Sequence, residues 1–274
     1  MLYRYGGKKK VNEGVTVITP TGDRPLAFAL CQRWMRNQTR QPDQWIVVDD
    51  GKTPLTPGPM MQYVRREPRL DDPKHTLITN LAVAAPLIRG NKILIMEDDE
   101  YYAPLYVEEM ASRLEKYEVV GICRSKYYHL PTGGFIRHSN IDHASLAQTG
   151  FRSSFVPSVA GLFTGDTYLD IRIWKKVGNV KTLKWGEPTV VINFHTVGNG
   201  RGLLFDDGDD KGCLYVGIKG LPGRPGIGCG HRDYSEYLPD TPDREVLRRW
   251  IPGDFKTYLG ILDGTITEQT LRDQ

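Results

Sequence analysis

The chain has 274 residues, 39% of them hydrophobic and 25% charged, with a net charge of +3. That length buries a sizeable core in one large domain, or in one domain with a smaller extension. The composition is that of an ordinary soluble globular protein, and a charge so near zero excludes a global basic field that would demand a nucleic-acid partner.

The first residues, 1–14, form a basic arm around Lys8-Lys9-Lys10. Val15–Thr21 is a β-branched run closed by Pro20 and Gly22, hence a first strand. Asp23 precedes Arg24-Pro25, with Pro25 suited to a first helical turn. Leu26, Phe28, Ala29, Leu30, Trp34 and Met35 recur at helical spacing to about Asn37. Trp45–Val48 is a second strand, and the proline-rich segment Lys52–Pro59 a loop. A helix is expected over Thr79–Ile88, with Pro86 awkwardly inside it. A buried strand follows at Ile93–Met96, then a helix over Pro104–Tyr117 with Leu105, Val107, Met110 and Leu114 inward. This alternation implies a mainly parallel sheet covered on both faces.

After Val119–Cys123 the texture changes. Tyr127–Ile136 reads as a hairpin around Thr132-Gly133-Gly134, Thr167–Val177 as a helix and Thr189–Phe194 as a strand. From Phe205 onward glycine and proline dominate. Gly220–Gly226 mimics collagen triplets, but too few to wind a triple helix, so it reads as loop. A short helix is expected near Asp243–Trp250.

Charged and sulfur-bearing residues outside these elements read plainly. The clusters Lys8–Lys10, Arg65/Arg66/Arg69 and Arg244/Arg248/Arg249 read first as solvated surface. Asp206-Asp207-Gly208-Asp209-Asp210 lacks the spacing and final Glu of an EF-hand and reads as a solvated turn. Cys31 and Cys123 read as core thiols. Cys213 and Cys229-Gly230-His231 lack the paired spacing of a metal site, so ligation by Cys213, Cys229 or His231 is the weaker reading. There is neither an apolar leader nor a run of about 18 apolar residues, so an intracellular location is expected.

The most informative feature is that two strands run straight into acid: Ile46-Val47-Val48-Asp49-Asp50-Gly51 and Ile95-Met96-Glu97-Asp98-Asp99-Glu100. The carboxyl edge of an open α/β sheet is where ligands bind. Adjacent carboxylates there repel one another, and a divalent cation or a cationic partner relieves the crowding.

With Val15–Thr21 in front and Tyr101-Tyr102-Ala103-Pro104 behind, these motifs resemble, in order and spacing, the family 2 glycosyltransferases of GT-A fold. The resemblance covers about residues 15–200. It implies a Rossmann-like, mainly parallel central sheet flanked by helices over 15–204. Residues 15–120 would form the nucleotide-binding half and 121–204 the acceptor half, with a Gly/Pro-rich extension over 205–274 packed on the same domain as lid or acceptor-binding segment.

In such a fold Thr19, Pro20, Thr21, Asp23 and Arg24 lie around the nucleotide. Asp49 or Asp50 accepts from the uracil imide; the plainer alternative for either is a turn aspartate before Gly51, and for Asp23 a helix cap. The second acidic cluster corresponds to the DXD element. Asp99 fits best as direct metal ligand, Glu97 stands where the family usually has aspartate, and Asp98 supports from the nucleotide side. His195 resembles a late metal or diphosphate ligand, and Arg201 could pair with phosphate. Gly165-Asp166 followed by Leu169 and Arg172 resembles the family's general-base element with its acid pair shortened to one, so Asp166 inherits that role. Asp142 and His143 would lie in a strand flanking the acceptor.

The implied activity is metal-dependent, inverting transfer of a hexose from a UDP-sugar to an acceptor hydroxyl, with Mn²⁺ or Mg²⁺. The acceptor stays open between double-stranded DNA carrying 5-hydroxymethyl pyrimidines, as in a phage enzyme of the host cytoplasm, and a saccharide or small molecule. The rival classes are a sugar-1-phosphate nucleotidyltransferase, for which Thr19–Pro25 is a poor loop, and a non-catalytic binding module. No protein partner is evident.

Overall fold

The structure, a computed structural model, describes residues 13–138, 140, 142–165, 168–177, 202–207, 212–225 and 244–273. β1 (Val15–Thr21) is buried along its whole length, as a central strand covered on both faces must be. α1 (Pro25–Arg36) follows, with Pro25 in its first turn. β2 (Gln44–Asp49) pairs in parallel with β1, and β3 (Gln62–Arg65) in parallel with β2. α2 (Leu77–Ala84) begins before the expected Thr79 and gives way to a 3₁₀ turn, Ala85–Leu87. Pro86, which has no N–H for an α-helical bond, falls in that turn.

β4 (Lys92–Ile95) lies parallel to β1 on its other side. Then come β5 (Tyr101–Tyr102), α3 (Tyr106–Arg113, shorter than expected) and β6 (Val119–Ile122). β7 (Lys126–His129) and β8 (Gly134–Arg137) form the expected hairpin, with Gly133 at φ 73° in its turn. β9 (Thr149–Arg152), α4 (Val159–Leu162) and α5 (Leu169–Val177) precede β10 (Gly202–Phe205) and β11 (Tyr215–Lys219). α6 (Arg244–Trp250), α7 (Phe255–Leu262) and α8 (Glu268–Arg272) close the chain. The strand expected at Thr189–Phe194 lies outside the described residues.

A seven-stranded sheet runs β10-β6-β9-β4-β1-β2-β3, and a four-stranded one β5-β11-β7-β8. The large sheet is parallel except at β9, which runs antiparallel to both β4 and β6. Side chains alternate between its faces. Val15, Val17, Val47 and Leu94 join Trp34, Tyr106, Trp250 and Tyr258 on one face. Ile18, Ile46, Ile93 and Ile95 meet Leu81, Ile173 and Trp174 on the other. Cys31 and Cys123 are buried thiols as expected, and so is Cys213. Cys229 and His231 lie outside the described residues.

Three expectations are corrected. Asp142-His143 lies in irregular chain before a 3₁₀ turn, Leu146–Gln148, and not in a strand. The start of the 206–210 acidic run is no solvated turn: Asp207 is buried and paired with Lys126, while 208–210 lie outside the described residues. Arg66 is not solvated surface; its side chain is 9% exposed and bridges Asp50 and Asp72. Within the Gly/Pro-rich extension, Tyr215–Lys219 is a strand, to which no element was assigned from sequence; its Gly217 is demanded by contact, since a Cβ there would meet the Tyr127 ring at 2.1 Å.

Candidate active site

The carboxyl ends of β1 and β4 open onto a cavity of about 430 Å³, walled further by α2, the start of α5 and the end of β11. Pro20, Thr21 and Arg24 line it, with Glu97 and Glu100 beneath. Thr19 does not reach it: its hydroxyl accepts from the Trp45 indole at 2.9 Å inside the core.

The acidic run divides by direction. Asp98 points back toward β1, accepting from the Thr21 hydroxyl at 2.6 Å and pairing with Arg24 at 2.6 Å. The same guanidinium reaches Asp99 at 2.6 Å. Glu100 accepts from Lys219 Nζ and from the Ile218 amide, both at 2.6 Å. Glu97, Asp99 and Glu100 each offer a carboxylate oxygen, and these atoms lie within 4.8 Å of one another. Among the described residues this is the grouping of His, Cys, Asp and Glu that could hold a metal ion. Glu100 is its unexpected member.

Burial, then the like charges of Asp99 and Glu100, push the Glu97 carboxyl up to about 8. Burial raises Glu100 to about 7 against the pull of Lys219, and Asp98 to about 6 against that of Arg24. Four carboxylates therefore face two resident cations, Arg24 and Lys219. The all-oxygen donor set and its surplus negative charge fit a hard divalent ion.

At the end of β2 the two aspartates differ. Asp49 accepts from Gly51 N at 2.8 Å, Leu55 N at 2.9 Å and the Tyr63 hydroxyl at 2.8 Å, the work of a turn aspartate. Asp50 pairs with Arg66 and Arg224, each at 2.6 Å. Burial opposes its ionisation, but hydrogen bonds from Arg224, Thr76 and Arg66 hold its carboxyl below the usual range. Asp23 does not cap α1; its carboxylate accepts from Lys52 N at 2.7 Å and ties the β1 loop to the β2 loop.

On the acceptor side, Asp142 and His143 hydrogen-bond each other at 2.6 Å and do not line the cavity. Asp170 of α5 does, and burial raises its carboxyl. Tyr168, 65% exposed, stands at the rim. Asp166, His195 and Arg201 lie outside the described residues.

The sequence reading missed Glu100, Asp170, Arg66, Lys219 and Arg224. Glu100 was visible in the acidic run, and Asp170 one helical turn from Asp166. The partners Lys219 and Arg224 lie 119 and 174 residues from their carboxylates and carry no local signal.

The model of glycosyl transferase family 2 matches residues 16–169 of this chain. No curated protein sequence matches it significantly. Among solved structures, the fold is similar to that of S. aureus TarS 1-349 in complex with UDP-GlcNAc. That likeness has a TM-score of 0.50 at 14% identity and covers 94% of this chain and 69% of that one. The mannosyltransferase PcManGT from Pyrobaculum calidifontis, in complex with GDP-Man and Mn²⁺, is similar over 78% of this chain and 58% of its own, with a TM-score of 0.47 at 14% identity. A family match over more than half the chain, on a sheet whose β4 ends with Glu97 and Glu100 at the cavity, makes this protein a GT-A glycosyltransferase of family 2.

Proposed function

We propose that the protein moves a sugar from a UDP-sugar to an acceptor hydroxyl with inversion, aided by Mn²⁺ or Mg²⁺. The observation that carries this is the convergence of Glu97, Asp99 and Glu100 beside the cavity at the end of β4. Those three carboxylates would hold the ion, which when bound neutralises charge on the departing diphosphate. Thr21 and Arg24 orient Asp98 and Asp99 around it. TarS, a similar fold solved with UDP-GlcNAc, supports a UDP-linked donor.

In the transfer the acceptor oxygen bonds to the anomeric carbon as the bond from that carbon to the diphosphate breaks. The hydroxyl proton passes to a carboxylate base. Asp166 is assigned that role from the family's base element, just before α5. The neighbouring Asp170 on the cavity wall supports a base at this helix start.

A saccharide or other neutral acceptor suits the site better than DNA. Arg65 and Arg66 are held by Glu67, Asp50 and Asp72, and Arg248 by Glu245. Two of the three basic clusters are thus partly neutralised, and Lys8–Lys10 lie outside the described residues. Among the described residues no helix is long and apolar enough to cross a membrane.

The test is a panel of UDP-sugars with Mn²⁺ and with EDTA, repeated on two variants. Asp99→Ala should abolish the metal-dependent rate, and Asp166→Ala should lower transfer by about 10²–10⁴-fold. Full transfer by Asp166→Ala would remove it as the base, and activity unaffected by EDTA would remove the metal.

A further inference from the structure

We infer that Arg224 is a donor-binding residue that exchanges partners. In this structure its guanidinium holds Asp50; when the donor's base takes that carboxylate oxygen, the guanidinium passes to the phosphate oxygens of the nucleoside diphosphate. The inference rests on the donor reading above and names a residue beyond the segment that matches the family.

Both oxygens of Asp50 are engaged and covered as it stands. Its side chain is 1% exposed; Oδ2 receives Arg66 and Oδ1 receives Arg224, each at 2.6 Å, and the Thr76 hydroxyl donates as well. At 1% exposure the carboxylate is covered, so an imide N–H reaches it only if one of the side chains covering it moves aside. Arg66 is fixed on every side: its Nη1 grips both oxygens of Asp72 at 2.9 and 2.8 Å, and its Nε donates to Asn80 at 2.6 Å. Arg224 differs. Its side chain is 36% exposed and lines the cavity.

The backbone that carries Arg224 is anchored while its side chain stands at the opening. The Arg224 amide donates to the Asp23 carbonyl at 3.1 Å. The preceding Gly223 has φ 119°, and a Cβ there would come within 2.7 Å of that carbonyl. Gly22 leaves the room for the pair itself: a Cβ at that position would lie 2.3 Å from Asp50 Oδ1 and 2.8 Å from Arg224 Nη2. A guanidinium released here stays at the mouth of the donor cavity, where its fork matches two phosphate oxygens.

Exchange predicts that phosphates and base respond oppositely to loss of this side chain. Binding of UDP and of uridine to the full chain with Mn²⁺ would be measured by calorimetry for the unaltered protein, Arg224→Ala and Arg224→Gln. Both variants should bind UDP about tenfold more weakly, as loss of a charged hydrogen bond implies. Arg224→Ala should bind uridine at least as tightly as the unaltered protein, because Asp50 Oδ1 is released. Equal weakening of both ligands would make Arg224 a prop for Asp50 and overturn the inference, as would unchanged UDP affinity. If the unaltered protein bound no UDP, the donor reading itself would fall and take the inference with it.

Discussion

Glu97, Asp98 and Glu100 hold their protons more tightly than free carboxyls do, because burial and like-charged neighbours disfavour ionisation. The folded protein therefore binds more protons than the unfolded chain between the ordinary values of 3.8–4.5 and the raised values of about 6 to about 8. Stability from these groups is complete below the lower values and is lost as pH rises through the upper ones. A divalent ion reverses the preference, since it binds the ionised form. In EDTA the melting temperature should thus be lower near pH 8.5 than near pH 6, and Mn²⁺ should raise it more at the higher pH. A manganese shift equal at both pH values would contradict this account. The acids were legible in the sequence because they follow an apolar strand directly. What they bond was not: Asp49 and Asp50 are adjacent, yet one serves the turn and the other faces two arginines.

Strands β1, β2 and β4 were legible because unbroken apolar runs end in turn or acidic residues, the pattern of strands buried on both faces. β3 and β9 were not. Gln62–Arg65 is half-buried and has one aliphatic side chain, and Thr149–Arg152 contains a glycine. Gly150 is there for clearance, since a Cβ would meet Leu94 Cδ2 at 2.5 Å. The helix α5 shows how such tight spots are closed from outside. Trp174 is 2% exposed, donates to the Thr149 hydroxyl at 3.1 Å, and lies where a Cβ on Gly121 would come within 2.6 Å of its ring. Trp174→Ala should cost about 3–5 kcal/mol, read as a lower urea midpoint at unchanged slope. A loss below 1 kcal/mol would mean that the β6–β9 face closes without it.

At the scale of the whole molecule, residues beyond the family match complete what the match begins. β10 edges the large sheet, and β11 pairs with both β5 and β7. Trp250 and Tyr258 of α6 and α7 lie in the same core as Trp34 and Tyr101. The Lys219–Glu100 pair is the charged seam of this junction, with side chains 5% and 3% exposed. Lys219→Met strands a buried carboxylate, at a cost of about 3–5 kcal/mol. The loss should shrink at pH 5, where Glu100 is protonated, and the added change Glu100→Gln should recover much of it. A loss independent of pH would mean that the amine matters for packing alone.

The same distance along the chain sets an order of events during synthesis. Glu100 leaves the ribosome 119 residues before the amine that neutralises it. At about 5–20 residues per second, the carboxylate waits on the order of ten seconds for its counter-ion. For most of that interval β6 also lacks its neighbour β10, so an open strand edge and an unbalanced acidic nest coexist in the nascent chain. β10 and Lys219 are thus late stitches in this sheet, and the step that draws them in is where a chaperone or early magnesium capture would matter most.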